Sequence, residues 1–301
     1  MNTIVSNPVV FGHPNNLRSS VGHCFHNHLT ALILARYFGF NFVGTPFSGD
    51  STKYNSILNI TNPKDRELFA DAVMQGAKVI TLDLTHESFS HDKVISEVEL
   101  KTRLDSLREK LSKEKDTFFM LPRDVLPGNL LQYYHLVYDE LQKNIVTNYL
   151  GTKLEYSSCC LVHVRRGDIT QQNNSDRYTS TSAIAARVAN LLLLYPEITT
   201  IYYITEASPV EIDAIHSEVL WTLAPPRARE VRYFRSASPD VTLFCDMIYC
   251  KYLIAVKSTW SYLAGYMNTH PEFVFHAPEC KTFHLGVESC IKAFNKPWMI
   301  V

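Results

Sequence analysis

Apolar residues along the chain fall into short runs that alternate with longer stretches of helical spacing, and the alternation continues from one end to the other. The run from Leu29 to Val43 is interrupted by Arg36 and Asn41, which predicts a helix at Phe25–Phe38 followed by a strand. Beyond a polar loop, Pro63–Gly76 has helical spacing and Lys78–Leu84 reads as a buried strand. In Asp92–Lys115, Leu100, Leu104, Leu107 and Leu111 recur every three or four residues with charges on the other faces, which predicts a long amphipathic helix turning its leucines to the core. A strand at Thr117–Leu121 and a helix at about Leu130–Tyr149 close the first half.

The rhythm then restarts. Strands are predicted at Ser157–Val164, Thr200–Thr205, Val231–Phe234, Tyr252–Val256 and Glu272–Phe275. Between them fall helices at Ser182–Leu194, Pro209–Ser217, Phe244–Cys250 and Thr259–Asn268. Strands separated by helices predict parallel sheets flanked by helices. The restart divides the chain into domains at 1–152 and 153–301, with the last helix placed to pack back on the first domain.

The length of 301 residues and the 46% hydrophobic content suffice for two cores. With 29 basic and 30 acidic side chains the net charge is −1, so no global field draws the chain to nucleic acid or an anionic membrane, and any phosphate must be held locally. The first residues lack the charged-then-apolar layout of a secretion signal, and no stretch approaches the roughly 18 apolar residues of a membrane span. The seven cysteines are an odd number and include the neighbours Cys159 and Cys160 in an apolar strand, which favours buried reduced thiols and a cytoplasmic location.

Three segments carry chemistry. In CCLVHVRRGDI an apolar strand ends in Arg165, Arg166, Gly167 and Asp168. Ligands of open parallel sheets sit beyond the carboxyl ends of the strands, and the planar, permanently charged fork of arginine suits phosphate oxygens there. Gly167 permits close backbone approach, and Asp168 can fix one arginine; a structural Arg–Asp pair is the alternative. In the second segment a strand runs directly into a helix at Ser258 and Thr259, where backbone N–H groups and hydroxyls point outward, suited either to phosphate or to simple capping. The third, Tyr202–Pro209, is a strand ending in the carboxylate of Glu206.

Taken in order, these pieces resemble the GT-B fucosyltransferases that carry a His-x-Arg-Arg-x-Asp motif, which His163, Arg165, Arg166 and Asp168 match residue for residue. Thr205-Glu206 resembles the family's strand ending in Thr-Asp or Ser-Asp, with Glu for Asp, and Cys250–Tyr262 resembles its C-terminal motif. The similarity covers about Leu161–Asn268 and extends more weakly to His23–His28, where Asn27 matches a Gly-Asn-Gln segment, His26 replaces its glycine and His28 its glutamine. The resemblance implies an α/β protein of GT-B type, with two Rossmann-like domains whose parallel sheets face each other across a cleft. The C-terminal domain would hold GDP-fucose through His163, Arg165, Arg166, Asp168, Ser258 and Thr259, with Asn27 contributing. Arg165 would stabilise the departing GDP. Asp240 and Asp246 flank the position where the family reads guanine with an aspartate. Glu206 and His26 are the candidates for the base, since Thr170–Asn174 offers amides where some relatives place a carboxylate.

No Asp-x-Asp triplet occurs, and the 12 histidines form no pattern of metal-ligand spacing, so a metal-independent, inverting transfer to a glycan or other hydroxyl acceptor is expected, with no cofactor. Three other readings remain open. The chain could use another sugar nucleotide, be a silent nucleotide- or carbohydrate-binding relative, or be a scaffold with structural arginines.

Overall fold

A computed structural model of the protein describes residues 2–6, 21–47, 49–58, 63–82, 84, 95–121, 128–144, 157–175, 177–236, 241–277 and 298–300. The chain divides into two compact units, the first over Met1–Thr147 together with Lys281–Asn295 and the second over Asn148–Cys280 together with Lys296–Val301.

In the first unit, strands β1 (Thr3–Ser6), β2 (Asn41–Gly44), β3 (Lys78–Thr81) and β4 (Thr117–Met120) form one parallel sheet in the order β2-β1-β4-β3. Parallel neighbours require crossovers, and helices supply them. Helix α1 (Val21–Phe38) lies between β1 and β2, and a 3-10 turn at Gly49–Tyr54 leads into α2 (Asn55–Leu58) and then α3 (Pro63–Met74). Helix α4 (Glu97–Ser112) buries Leu100, Leu104, Leu107 and Leu111 as their spacing predicts, and the Ser96 hydroxyl accepts from the Glu99 N–H at 3.2 Å to cap it. The single helix expected over 130–149 is instead a 3-10 segment, Gly128–Leu136, and a short α5 (Tyr138–Asn144). Within the 3-10 segment Tyr133 leaves helical geometry (φ −102°, ψ 15°) and seats its ring edge-on to Tyr37, with centroids 4.9 Å apart.

The second unit holds β5 (Cys159–Val164), α6 (Thr181–Leu194), β6 (Thr200–Thr205), α7 (Pro209–Thr222), α8 (Pro225–Glu230) and β7 (Arg232–Ser236), then α9 (Val241–Tyr249), β8 (Tyr252–Ile254), α10 (Thr259–Met267), β9 (Val274–Ala277) and β10 (Trp298–Ile300). Its six parallel strands run β10-β9-β8-β5-β6-β7. From β5 the chain steps outward to β6 and β7, returns across the sheet, and then steps the other way through β8, β9 and β10. This doubly wound order reverses between β5 and β8, which are direct neighbours with Val162 beside Ile254.

Alternation along the strands divides the core. Cys160, Val162 and Val164 of β5 join Ile201, Tyr203, Tyr252, Ile254 and Val274 against Ile184, Val188 and Leu192 of α6 and Ile212, Ile215 and Val219 of α7. On the opposite face His163 meets Trp260 of α10, and Phe275 meets Tyr262. The expected α/β architecture with parallel sheets in both halves matches this arrangement, while the last helix expected near the end of the chain falls outside the described residues.

Candidate functional site at the carboxyl end of the second sheet

The apolar run of β5 stops at Val164 because the next two residues are arginines, and Gly167 then turns the chain through a left-handed conformation (φ +71°) that costs glycine little. The turn is closed by the Ile169 N–H donating to the Arg166 carbonyl at 3.4 Å. The two arginines part company here. Arg165 stays partly exposed, and its Nη2 donates to both oxygens of the solvent-facing Asp168 at 2.8 and 3.0 Å. Its Nε is buried and has no hydrogen-bond partner.

Arg166 turns inward, with 8% of its side chain exposed. Its Nε donates to Glu211 of α7, its Nη1 donates to the Arg165 carbonyl at 2.9 Å, and its guanidinium carbon stands 4.5 Å from the centre of the Tyr178 ring. The Arg166 N–H also points to Glu206 Oε2 at 3.5 Å. Glu206 follows Thr205, which pairs with Val164, so the ends of β5 and β6 meet there. The structure thus brings Arg165, Arg166, Asp168 and Glu206 together.

Across the reversal point, β8 leads to Ser258 at the start of α10. Ser258 is fully buried, with extended backbone (φ −139°, ψ 123°). A serine at this position ordinarily accepts from an N–H in the first helical turn, but this hydroxyl makes no such bond and has no other partner among the described residues. His163 connects the two sides: it lies on β5, two residues before Arg165, and its ring stands edge-on to Trp260 of α10 at 5.1 Å. Burial, reinforced by the nearby Arg165 charge, holds the imidazole pKa down to about 3, so it is neutral at pH 7.

Asp246, His26 and Asn27 are all buried. Asp246 is fully buried in α9, and its charge helps raise the thiol pKa values of Cys159 and Cys250, after burial itself. Cys159 opens β5, so Asp246 sits toward the amino end of that strand, and about 20 Å of extended chain separates Cys159 from Arg165. The reason is directional: α9 runs down to the amino end of β8, and its last turns descend with it. Asp240 and the Thr259 side chain are outside the described residues. His26 and Asn27 belong to the first unit, where both are buried in α1. The neighbouring His28 faces the Ser6 hydroxyl across 3.3 Å and packs edge-on to Phe42 at 5.0 Å, which ties α1 to β1 and β2.

After Asp168 the amides fold back on the loop. Asn173 Nδ2 and Asn174 Nδ2 both donate to the Asp168 carbonyl, at 3.5 and 3.2 Å. Glu211 and Tyr178 were not singled out from sequence. The pattern Ser208-x-x-Glu211 carries a signal, but a different one: it has the form of a capping box, in which the glutamate would reach back to the helix start. Only the serine half forms, with Ser208 Oγ accepting from the Glu211 N–H at 3.2 Å, and the carboxylate goes to Arg166.

Among the described residues, no group of three or more His, Cys, Asp or Glu side chains is arranged to hold a metal ion, and no helix is long and apolar enough to cross a membrane. The five described cysteines are buried and unbridged. No model of a known protein family matches the chain, and no curated protein matches its sequence.

Proposed function

We propose that the protein is a glycosyltransferase of GT-B type that moves fucose from GDP-fucose to a hydroxyl acceptor, with inversion and without a metal. The observation that carries this reading is the placement of Arg165 at the carboxyl end of β5, flanking the point where the doubly wound sheet reverses, with the unpartnered Ser258 hydroxyl at the helix start on the neighbouring strand. Such a crevice is where open α/β sheets bind nucleotides. The α10 start adds a partial positive charge and free N–H groups.

In glycosyl transfer, negative charge grows on the departing diphosphate. A guanidinium fixed there stabilises the transition state more than the bound donor. Arg165 has the exposure and the charge for this role, and neutral His163 behind it adds no competing cation. Glu206 is the nearest carboxylate on the neighbouring strand end and serves in this reading as the group that accepts the acceptor proton.

The test is a thermal-shift comparison of the wild type and Arg165→Ala against GDP, UDP, GDP-fucose, GDP-mannose and UDP-glucose without metal. GDP and GDP-fucose should raise the wild-type midpoint by mass action, and the variant should lose that response while its ligand-free midpoint stays close to wild type, because an exposed ion pair contributes only about 0–1 kcal/mol. A UDP-selective response would move the donor to another sugar nucleotide. No response to any nucleotide would leave the arginines as structure. A second reading, a binding protein without transfer, draws on the folded-back amides at Asn173 and Asn174; it predicts GDP-fucose binding with neither transfer nor slow hydrolysis.

A further inference from the structure

The two arginines at the end of β5 have different jobs, and the second is held by residues remote in sequence. Arg166 is buried, and an arginine out of water needs its charge met; its Nε and Nη1 are engaged, while its Nη2 has no hydrogen-bond partner among the described residues. Glu211 takes its Nε, the Tyr178 ring covers its face at 4.5 Å, and its Nη1 grips the Arg165 carbonyl at 2.9 Å. The last bond matters most. It fixes the backbone of Arg165 from behind, so Arg165 leaves the strand in one direction, with a single remaining turn at Gly167. Glu211 meanwhile forgoes the capping-box bond that its sequence position offers, and the helix keeps its cap through the backbone N–H alone.

We propose that Glu211 and Tyr178 are positioning residues: through Arg166 they aim the Arg165 guanidinium at an anionic diphosphate bound where the sheet reverses. The anion rests on the functional reading above, whereas the clamp itself stands on geometry. A displaced guanidinium loses much of its effect on a reacting phosphate, since an error of about 1 Å can cost on the order of a hundredfold in rate.

The clamp can be tested on the full chain with two readouts. Limited digestion with trypsin, with cuts located by mass spectrometry, reports how firmly the Arg165–Gly167 segment is held, and titration with GDP reports whether Arg165 is aimed. Glu211→Ala keeps the backbone half of the α7 cap and should therefore fold. It should be cut after Arg165 or Arg166 about tenfold faster than wild type and bind GDP about tenfold more weakly, in line with loss of a charge-assisted hydrogen bond. Glu211→Gln, which retains a neutral acceptor, should fall between the two, and Glu218→Ala, an exposed site on the same helix, should behave as wild type. Unchanged cutting in Glu211→Ala overturns the clamp. Faster cutting with unchanged GDP affinity overturns the aiming of Arg165. If the wild type binds no GDP yet Glu211→Ala is cut faster, the clamp stands and the nucleotide reading falls.

Discussion

Ser258 shows how a single side chain separates structural from ligand-binding roles. Its hydroxyl is fully buried and without a partner, although the start of a helix offers N–H groups that a serine in this position usually takes up. A buried polar group left unsatisfied costs about 1–3 kcal/mol, so the hydroxyl does nothing for the fold of the free protein. Ser258→Ala should therefore leave the ligand-free protein unchanged or more stable, by at most about 3 kcal/mol. In the same variant the thermal response to GDP should shrink. A drop in ligand-free stability would mean that the hydroxyl has a structural partner, and an undiminished GDP response would remove Ser258 from the site. Asp168 makes the opposite case: its carboxylate is well exposed and, among the described residues, engaged only by Arg165, so it influences where one guanidinium points.

Among the elements, α10 and β9 are joined by an exact fit of glycine to ring: a methyl group placed on Gly265 would come within 2.9 Å of Phe275 Cζ. Phe275 is fully buried and flanked by Phe273 and Tyr262, so its ring has no free side to move into. Gly265→Ala gains up to about 1 kcal/mol of helix propensity but incurs overpacking of roughly 1–3 kcal/mol. The variant should melt several degrees lower than wild type, and an unchanged midpoint would show that the ring yields freely. Neither this contact nor the clamp on Arg166 could be read from the sequence, because each depends on side chains brought together by the sheet. Legible elements were those with a strong period or a sharp chemical boundary, such as the leucines of α4 and the apolar strand that stops at Arg165. Strands β1 and β10 lie outside the strands that the apolar runs predict. Helix α1 carried a weak signal of another kind: His26, Asn27, His28 and Thr30 are buried along with Phe25 and Leu29, so polar residues on it mark the core rather than a solvent face. For the same reason Asp246 looked like a ligand-reading carboxylate, when the direction of α9 carries it to the far end of the sheet.

For the whole molecule, buried histidines in both units set the response to acid. His28 in the first unit has its pKa pushed down to about 3 by burial, His163 in the second to about 3 by burial and the Arg165 charge, and His276 to about 4 by burial and the Arg187 charge. Each is neutral in the folded state, whereas in the unfolded chain it takes up a proton near the ordinary value of 6.5. Between 6.5 and the folded value the unfolded state binds more protons, so stability falls as pH falls through that window and is insensitive to these groups above it. The slope is up to about 1.4 kcal/mol per pH unit for each histidine. The thermal midpoint should hold steady from pH 8 to about 7 and then decline steadily toward pH 4. His163→Gln removes one titrating group, so its midpoint should decline less steeply than that of wild type over the same range. A parallel decline in the two proteins would mean that the folded protein protonates His163 near the ordinary value of 6.5, so that Arg165 would have a cation beside it only below that pH.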